Sequence, residues 1–567
     1  MKRIIECVPN FSEGRNKEVI NAIVKSIADA AEVKVLNVDP GEATNRTVVT
    51  FVGSPEDVVE AAFQGVKCAG ELIDMRVHQG AHPRSGATDV LPLIPIAGVT
   101  LEECAELARA LAKRIYDELG IACYCYESAA YVPERKNLAV CRSGEYEALK
   151  QKIADPAKRP DFSPEVYDDV VAKSGATNVG ARDFLIAVNF NLNTTSTRRA
   201  NAIAFDVREK GRAVREGNPI TGKIVRDENG EPVMKPGTLK GCKAIGWFID
   251  EYGIAQVSMN ITDINQTSLH EAFDEVCRAA QARGVRVTGT EIVGLVPKKT
   301  LVEAGKYFLK KQNRSCGLAE EEIIRIAVKS MGLDDLCPFN PKEKVIEYLM
   351  ESEEEVMQRE RLVRMTCRDF AYETASESPA PGGGSISAYM GALGAALGTM
   401  VANLSSHKPG WDARWEEFSD WAEKGQASLK EMLALVDEDT AAFNKIMAAL
   451  GMPKASEEEK AARAAALEEA TLYATEVPLK TMKAALASFP LIEAMAAEGN
   501  PNSVSDAGVA ALAARSAVLG AQLNVKINAA GLKDRAAAEA LVAEAETIAA
   551  EAVAAEAKIL EIVNGKI

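Results

Sequence analysis

The sequence predicts a multidomain protein in which two ferredoxin-like α+β lobes, of βαββαβ type, are followed by an all-α helical bundle. Before about residue 350, short β-branched runs alternate with amphipathic stretches, which is typical of mixed α/β lobes. Beyond that point strand signals nearly vanish and alanine-rich helical patterns replace them. The 567 residues also exceed what one hydrophobic core usually holds, so separate domains are expected.

The first lobe is predicted to span residues 1–180. It opens with the strand "RIIECVP" and the helix "NKEVINAIVKSIADAA", in which Ile20 and Ile27 fall on one apolar face. The strands "VKVLNVD" and "RTVVTFVG" follow, and Ser54 then caps a helix that has Pro55 at its first position. The strand "LPLIPIAG", a helix from "TLEECAEL" and the strand "ACYCYE" complete the series.

The second lobe is predicted to span residues 181–348 and repeats this alternation. "FLIAVNFNL" is a strand, "TSTRRANAIAFDVREKG" a helix, and "KAIGWFID" and "AQVSMNIT" are two strands. The helix "SLHEAFDEVCRAAQARG" and the strand "VRVTGTEIVGLVP" complete a β-α-β-β-α-β order, the ferredoxin-like pattern. Residues 216–237 are rich in turn formers, which predicts a surface hairpin or loop.

Residues 349–357 carry an acidic run that predicts a solvated linker, and residues 358–567 form the predicted helical domain. Short turns suffice to join antiparallel helices in such a bundle. Helical patterns are found around 355–377, 385–404, 411–448, 456–488, 502–530 and 533–563.

Composition limits the function classes. A net charge of −16 argues against a general nucleic-acid binder, although it allows small anionic substrates. The eleven cysteines show no CxxC spacing, so neither a zinc site nor a redox pair is indicated, and reduced thiols fit a cytoplasmic protein. The first residues lack an apolar leader segment, and the apolar runs are judged too short to span a bilayer.

The stretch "RVHQGAHPRSGATDV" holds two of the four histidines, His78 and His82. Their spacing would suit a metal pair on a helix, but Gly80, Pro83 and Gly86 break the helix that such a pair needs, so a loop without metal is expected. Two readings stay open. Both histidines are ordinary surface residues, or one is a proton shuttle beside an anion-binding arginine.

Three further loops at strand ends carry polar residues. "VPNFSEGRN" contains Asn10, "VDPGEATNRT" contains Asp39 and Arg46, and "KSGATNVGAR" contains Gly175 and Arg182. Backbone N–H groups before a helix can receive carboxylates, as in the first of these loops. Each loop taken alone is also explained by turn chemistry.

Taken together, these strings resemble glutamate formimidoyltransferase, with "ECVPNFSEGRN", "HQGAHPRSGATDVLPLIPI", "GATNVGARDFLIAVNFNL" and "GLDDLCPFNPKEKVIEYL" as the most specific. The resemblance runs from residue 2 to about 349 and is interrupted only by the predicted hairpin after residue 216. The strings "APGGGSISA", "LVDEDTAAFN", "VPL" and "NVKIN" resemble formimidoyltetrahydrofolate cyclodeaminase. Their order is that of the bifunctional formimidoyltransferase-cyclodeaminase family.

The resemblance implies two folate reactions of histidine degradation. The formimino group moves from N-formimidoyl-L-glutamate to N5 of tetrahydrofolate, and N10 then closes onto that carbon with release of ammonia, giving 5,10-methenyltetrahydrofolate. Tetrahydrofolate, in polyglutamylated form, is thus the expected co-substrate, without a metal. A homo-oligomer is implied as well, with neither a nucleic-acid partner nor a membrane span.

The resemblance also places residues in the first half. The family's catalytic histidine falls on His82, and His78 matches no role. Asp39 would orient or polarise the substrate. Since both substrates carry carboxylates, arginines with forked donors are candidate anchors. Folate binding is implied for the region 162–177. The remaining binding candidates are Asn10, Arg46, Arg84, Arg182, Gly175, Ala176 and Thr177.

In the second half, residues from 358 onward include a single histidine, so acid–base work falls largely on carboxylates. In "MLALVDEDTAAFNKIM", helical spacing puts Asp439 within an apolar stripe, where burial raises the pKa of a carboxyl. Asp437 lies on the neighbouring face in line with Asn444. The family's essential aspartate lies in or near this string, and Asp437, Asp439 and Asp412 all stay open. An interhelical salt bridge of Asp439 is the alternative to catalysis.

The string "PAPGGGSIS" places three glycines before a helix, where exposed N–H groups would suit a folate carboxylate. The candidates are Gly382, Gly383, Gly384 and Ser385. Two rival functions remain at this stage. The helical domain resembles standalone methenyltetrahydrofolate cyclohydrolases too, and the whole chain would alternatively be a folate-binding scaffold without catalysis.

Overall fold

The computed structural model describes residues 3–42, 44–80, 83–218 and 221–567. These residues divide into two compact units. The first comprises Met1–Thr300 with Met331–Met350, and the second comprises Leu301–Ser330 with Glu351–Ile567. The change of character that the sequence shows near residue 350 therefore coincides with a unit boundary. Residues 301–330, which the sequence pattern assigns to the second lobe, pack with the helical unit instead.

A seven-stranded mixed sheet is the centre of the first lobe. Its strands are β1 Ile4–Cys7, β2 Asn10–Phe11, β3 Val33–Gly41, β4 Arg46–Gly53, β5 Thr88–Ala97, β6 Ala122–Glu127 and β7 Ala176–Ala181. The strands β1 and β2 both lie between β4 and β5, β3 pairs with β4, and β7 lies between β5 and β6.

The ferredoxin-like prediction is wrong for this first lobe. The three strands β5, β7 and β6 are parallel, whereas a ferredoxin-like sheet is antiparallel. Parallel neighbours need crossover connections, and the long segments 98–121 and 128–175 supply them. The sequence order of strands and helices does not reveal which strands these crossovers bring together.

One face of the mixed sheet is covered by three helices, α1 Lys17–Ala28, α2 Pro55–Leu72 and α3 Leu101–Leu119. The apolar side chains between them, including Phe11, Phe51 and Leu91, form a single buried core. Ser54 caps α2 as predicted, by accepting from the N–H of Asp57. The opposite face is called the polar face below. Over β6 and β7 it is covered by the segment that holds α4 Leu138–Cys141, α5 Leu149–Ala154 and α6 Asp169–Ser174.

The second lobe has the predicted β-α-β-β-α-β order. Its four-stranded antiparallel sheet runs β11-β12-β8-β13. The elements are β8 Ile186–Leu192, α7 Thr197–Val207, β9 Arg212–Ala213, β10 Met234–Lys235, β11 Cys242–Ile249, β12 Ile254–Ile261, α8 Leu269–Gln281 and β13 Val287–Val293. The short strands β9 and β10 pair and flank the insertion predicted as a surface hairpin.

The helical unit is built around the long helices α15 (Gly383–Ser406), α16 (Trp415–Gly451), α17 (Glu457–Ala487), α19 (Val504–Ala529) and α20 (Arg535–Asn564), which share one core with the shorter α18 (Phe489–Glu498). Helices from α9 onward are α9 Lys298–Lys311, α10 Glu320–Met331, α11 Pro341–Lys344, α12 Ile346–Met350, α13 Glu353–Arg359, α14 Cys367–Thr374, α15 Gly383–Ser406, α16 Trp415–Gly451, α17 Glu457–Ala487, α18 Phe489–Glu498, α19 Val504–Ala529 and α20 Arg535–Asn564.

Two details differ from the sequence prediction. The stretch 349–357 is not an extended linker, because Ser352 and Glu355 form a capping box that starts α13. Two segments, Gly383–Ser406 and Pro501–Ala529, are long and apolar enough to cross a membrane by length and composition. Of their most apolar windows, 61% and 50% is buried inside the protein, as for core helices of a soluble fold.

Candidate active sites

Three polar side chains form one row across the polar face of the first sheet. Asp39 pairs with Val48, and Val48 also pairs with Asn10. Asn10 pairs with Val90, which in turn pairs with Asn178. Directly paired residues project from the same face of a sheet. Asp39, Asn10 and Asn178 therefore lie on one face. Asp39 and Asn10 are about 10 Å apart, as are Asn10 and Asn178, because two strand spacings separate the members of each pair.

Arg46 lies beside this row. It is two residues before Val48 on β4, so its side chain projects from the same face. Burial lowers the pKa of Arg46, and the nearby charged groups are Asp89, Arg142 and Asp39. The sequence candidates Asp39 and Arg46 are thus brought together, with opposite charges at one edge of the row.

A buried ion pair lies near the other half of the row, formed by Asp89 and Arg142. The Asp89 side chain is fully buried. Its carboxylate accepts from the backbone N–H of Ser85 at 2.9 Å and from the guanidinium of Arg142 in a short contact. The backbone carbonyl of Asp89 accepts from Nδ2 of Asn178 at 2.8 Å. Asp89 therefore holds both the guanidinium of Arg142 and the side-chain amide of Asn178.

Sequence reasoning missed Asp89, Arg142 and Asn178 as site residues. Asp89 stands in the string "RSGATDV" and Asn178 in "KSGATNVGAR", in which the sequence prediction singled out the glycines and arginines instead. The sequence feature that could have revealed them is a repeated motif, Gly-Ala-Thr followed by a polar residue, which occurs once before Asp89 and once before Asn178. The two motifs lie on neighbouring strands of the sheet. Only the pairing register shows that they meet.

Arg84 is held by acidic side chains of the protein. Its guanidinium contacts Glu145 at 3.1 Å and Glu147 at 2.7 Å, and it donates to the carbonyl oxygen of His78 at 3.3 Å. The hydrogen bond to Glu147 is the main cause that raises the pKa of Arg84. Its role as a substrate anchor stays a prediction, and binding a carboxylate there would require exchange with these partners.

The predicted catalytic residue His82 lies outside the described residues. His78 is described, and its Nε2 lies 3.0 Å from the carbonyl oxygen of Asn45. Burial lowers the pKa of His78, which favours a neutral ring. Asn45 itself, at a positive φ of 48°, accepts from Gly14 and donates to the carbonyl of Gln79. His78 and Asn45 together join three loops at this end of the sheet.

Arg182 lies next to a buried carboxylate. Glu6 on β1 is 3% exposed, and burial raises its pKa to about 7, an effect that the positive charge of Arg182 partly offsets. Among the described residues, no hydrogen-bond donor to this carboxylate is found. The guanidinium of Arg182 also donates to the carbonyl of Asp183 at 2.9 Å. The predicted anchor thus serves at least in part to compensate Glu6.

The folate candidates Gly175, Ala176 and Thr177 lie at the start of β7. Gly175 has a φ of +70°, and a Cβ there would come within 2.4 Å of the carbonyl oxygen of Ser85, so glycine is required by the backbone. The N–H of Ala176 donates to the same carbonyl at 3.0 Å. These contacts explain Gly175 and hold the backbone of Ala176, and the part of all three residues in folate binding stays a prediction.

In the helical unit, Asp439 of α16 lies against the N-terminus of α15. Its Oδ2 accepts from the hydroxyl of Ser385 at 3.0 Å. A Cβ on Gly384 would come within 2.0 Å of its Oδ1, so only glycine leaves room for the carboxylate. Burial raises the pKa of Asp439, and the hydroxyl and N–H of Ser385 oppose that rise. Gly384 and Ser385 of the predicted string therefore lie against the predicted Asp439, and the catalytic role of this group stays a prediction.

Asp437 has a different environment. Its two oxygens accept from the consecutive backbone N–H groups of Leu362 and Val363, at 2.8 Å and 3.2 Å. These residues lie between α13 and α14, where the sequence pattern predicted one continuous helix. Burial is the main cause that raises the pKa of Asp437, and these two hydrogen bonds lower it. Asp437 therefore holds a chain segment in place.

The other candidates on this part of the chain are more exposed. Asp412 and Asn444 are both exposed. The alternative expectation for Asp439 was an interhelical salt bridge. Among the described residues, no ion pair of Asp439 is found. Asp439 is thus a half-buried carboxylate with a polar helix end beside it.

A further polar cluster, not anticipated from the sequence, adjoins α16. The hydroxyl of Tyr473 and the ammonium of Lys480 both donate to Oε1 of Glu438 at 3.0 Å. The ammonium of Lys445 lies 3.8 Å from the ring centroid of Tyr473, a cation–π distance. Glu438, which joins the cluster, directly precedes Asp439 in the chain. Its proton-carrying groups come from two helices, α16 and α17.

His407, the single histidine of the second half, is far from Asp439. It follows directly after α15, whereas Ser385 lies at the start of that 24-residue helix. At 1.5 Å per residue the two ends are about 30 Å apart. His407 lines an open and largely apolar cleft of about 380 Å³ between α15 and α16. No cluster of three or more His, Cys, Asp or Glu side chains suited to a metal occurs within residues 3–42, 44–80, 83–218 and 221–567.

Comparison with known proteins covers both units. Family models described as "Formiminotransferase domain, N-terminal subdomain", "Formiminotransferase domain" and "Formiminotransferase-cyclodeaminase" match residues 4–182, 187–351 and 366–547, respectively. A formimidoyltransferase-cyclodeaminase of Sus scrofa is 42% identical over 94% of both chains, and one of Dictyostelium discoideum is 38% identical over 100% of both.

Two further proteins each match about a third of the chain. A methenyltetrahydrofolate cyclohydrolase of Methylorubrum extorquens is 41% identical over 36% of this chain and 97% of its own length. A solved structure of formiminotetrahydrofolate cyclodeaminase from Thermotoga maritima, with 26% identity and a TM-score of 0.33, covers 36% of this chain and 98% of its own. From the near-full-length matches, the chain belongs to the formimidoyltransferase-cyclodeaminase family.

Proposed function

We propose that the chain catalyses two consecutive folate reactions, formimino transfer in the first unit and cyclodeamination in the second. The observation that carries this proposal is the pairing of a near-full-length family match with two separate polar sites, one in each unit. The first site combines Asp39, Asn10 and Arg46 on the polar face. The second is Asp439 against the N-terminus of α15.

For the transfer, N5 of tetrahydrofolate attacks the amidine carbon of N-formimidoyl-L-glutamate and forms a tetrahedral adduct. The C–N bond to glutamate then breaks, with a proton delivered to the departing nitrogen and one removed from N5. We assign this proton transfer to His82. The Asp39 carboxylate would stabilise the protonated amidine, and Arg46 beside it would bind a substrate carboxylate.

For cyclodeamination, N10 attacks the formimidoyl carbon of 5-formimidoyltetrahydrofolate. N10 loses its proton, the bond from that carbon to the formimidoyl nitrogen breaks, and this nitrogen leaves as ammonia after gaining protons. Asp439 suits this step, because burial raises its pKa and increases the protonated fraction that can act as an acid. Ser385 and the N–H groups of α15 would stabilise the carboxylate after it has given its proton.

A cyclohydrolase is the second candidate for the helical unit, and the identity to the Methylorubrum extorquens protein favours it. It would add water to methenyltetrahydrofolate instead of releasing ammonia. The full chain separates the two when given 5-formimidoyltetrahydrofolate. Stoichiometric ammonia with methenyl product supports cyclodeamination, and ammonia at the uncatalysed rate would overturn it. A non-catalytic scaffold would produce neither product from either substrate.

The base assignment has its own test in the transferase. We expect His82→Ala to abolish transfer from N-formimidoyl-L-glutamate while ammonia release from supplied 5-formimidoyltetrahydrofolate continues. Transfer at the wild-type rate in this variant would show that another group moves the proton. Circular dichroism of the two proteins checks that the variant is folded.

Further properties are proposed on the same basis. Tetrahydrofolate would act in polyglutamylated form, no metal would be required, and the protein would be cytoplasmic. We propose a homo-oligomer, because α15 and α19 expose apolar side chains, which is unusual for a monomer. These side chains are Leu393, Met400, Leu404, Val509, Leu512, Leu523 and Ile527. Sedimentation of wild type and Leu523→Glu tests it, with a smaller species expected for the variant.

The second lobe is proposed to be ferredoxin-like. Its element order and its antiparallel strand order β11-β12-β8-β13 support this relation.

A further inference from the structure

Asn178 is a buried amide whose orientation is determined by its surroundings. Its Nδ2 donates to the backbone carbonyl of Asp89 at 2.8 Å. The reversed amide would place Oδ1 against that same carbonyl oxygen, and two acceptors repel each other. The side chain therefore directs Oδ1 away from β5. Because Asn178 pairs with Val90 and lies in the row of Asn10, its side chain lies on the polar face.

This Oδ1 has no hydrogen-bond partner among the described residues, although the side chain is fully buried. Buried polar atoms are paired in the great majority of cases, since losing water without a replacement costs free energy. Three neighbouring hydroxyls, those of Ser85, Thr88 and Thr177, are unpaired as well. A hydroxyl can rotate to find a partner, whereas the fixed amide oxygen of Asn178 can only accept.

The charge of the neighbours indicates which donor belongs there. A protonated amidine is best bound by a carboxylate, and Asp39, at the other end of the row, is exposed and offers one. Substrate carboxylates need cations, and the proposed cation on this part of the sheet is Arg46. A neutral and buried acceptor such as Asn178 instead suits a neutral N–H donor. The next residue in the row, Tyr124 on β6, is buried and aromatic.

We infer that Asn178 binds the tetrahydropteridine ring of the folate substrate, with its Oδ1 accepting a hydrogen bond from a ring N–H. This inference rests on the proposed transfer function. Asp89 is then a positioning residue, because its backbone carbonyl aims the amide and its carboxylate holds Arg142. A site built to pair with an N–H discriminates strongly against ring analogues that lack the donor, since the buried acceptor is then left unpaired.

The test compares two Michaelis constants in the full-length Asn178→Ala variant. We expect the KM for tetrahydrofolate to rise about tenfold, the size of one lost hydrogen bond, with the KM for N-formimidoyl-L-glutamate within about twofold of wild type. A mere loss of structure would raise both constants together or lower kcat alone. Circular dichroism checks that the variant is folded, and ammonia release from 5-formimidoyltetrahydrofolate reports that the other unit is intact.

The matched control is Thr290→Val. Thr290 is also buried with an unpaired side-chain oxygen, but it lies on β13 of the second sheet. Both Michaelis constants should stay at wild-type values in this variant. If Asn178→Ala is insoluble, Asn178→Ser is measured in the same way and the same split between the two constants is expected.

Each outcome has one meaning. If wild type fails to transfer the formimino group, the proposed function fails and the role of Asn178 fails with it. If wild type transfers and the folate KM of the Asn178 variant is unchanged, the inference alone is overturned. A rise confined to the KM for N-formimidoyl-L-glutamate also overturns it, because the amide would then bind the other substrate.

Discussion

The two candidate sites place their carboxylates in opposite ways. In the first unit, Asp39 is exposed at the edge of a row that crosses five strands of a sheet. In the second, Asp439 is half-buried against a single helix end, which Gly384 of α15 brings within reach. An exposed carboxylate remains charged and can bind a cation, whereas an enclosed one retains its proton more readily. The contrast suits charge stabilisation in the transfer and proton donation in the deamination.

The largest effect is expected from Asp439→Asn. The amide keeps the shape but cannot give a proton, so ammonia release should fall by about 10²–10⁴-fold, the usual contribution of general acid–base catalysis. Transfer in the first unit should be unchanged, and the rates are followed by ammonia and by methenyl absorbance. Asp437→Asn is the matched control, two residues away on the same helix.

The control separates catalysis from structure. Asp437→Asn weakens acceptors for the N–H groups of Leu362 and Val363, so its unfolding free energy should fall by about 1–3 kcal/mol. Its ammonia release should stay within a few-fold of wild type. Equal losses of ammonia release in both variants would contradict the assignment of Asp439.

A smaller loss is expected from Gly384→Ala. The added Cβ would lie 2.0 Å from Oδ1 of Asp439, so the carboxylate must move away from the helix end. We expect cyclodeaminase activity to fall by about 10–100-fold, as for a misplaced catalytic group. In Gly451→Ala the new Cβ meets nothing within 4 Å, so that variant should retain full activity. Full activity in Gly384→Ala would show that the close approach of Asp439 to α15 is unimportant.

Asp39→Asn tests the other side of the comparison. Loss of the charge should lower kcat/KM for transfer by about tenfold, the scale of a charge-assisted hydrogen bond at an exposed position. Ammonia release from supplied 5-formimidoyltetrahydrofolate should be unchanged. A loss as large as that of Asp439→Asn on its own reaction would indicate that Asp39 transfers a proton, and the contrast between the two carboxylates would then disappear.

The smallest expected effect is on stability alone. Folding raises the pKa of Glu6 from 4.5 to about 7. The stability that protonated Glu6 contributes is therefore fully present below pH 4.5 and is lost as the pH rises through about 7. Glu6→Gln is always neutral. It should therefore be more stable than wild type above pH 7, by up to about 3 kcal/mol, and the difference should vanish toward pH 4.5.

Urea unfolding at pH 5 and pH 8.5 measures this difference. A variant that is less stable than wild type at pH 8.5 would show that Arg182 compensates the charge of Glu6 more fully than burial penalises it. The half-buried Asp439 has a hydroxyl and a helix N-terminus as partners, whereas no such partner of the buried Glu6 is found in the part of the chain that the structure describes. The two residues therefore compare a carboxylate with hydrogen-bond donors and one that relies on a nearby positive charge.

The helical site was largely predictable from the sequence because its residues are set by local spacing. Helical periodicity placed Asp439 on a buried stripe, and the glycine run marked the start of α15. That the two would meet depended on helix packing, which periodicity does not report. The break between α13 and α14 was missed for the same reason, since it is stabilised by hydrogen bonds to Asp437 on a different helix.

The sheet site was less predictable. Asn10, Asp39 and Arg46 were found because each stands next to turn-forming residues at a predicted strand end. Asn178 is an interior strand residue and becomes part of the row only through the β5–β7 register. The mixed sheet was mistaken for a ferredoxin-like lobe because local patterns do not show which strands are parallel. The packing of residues 301–330 with the helical unit likewise depends on long-range contacts.

The central claim is that one chain holds two independent acid–base sites. It is tested most directly by giving full-length Asp439→Asn both N-formimidoyl-L-glutamate and tetrahydrofolate and following glutamate, ammonia and methenyl product together. We predict glutamate release at the wild-type rate, with 5-formimidoyltetrahydrofolate accumulating and almost no ammonia. Ammonia release at the wild-type rate, or loss of glutamate release along with it, would contradict the claim.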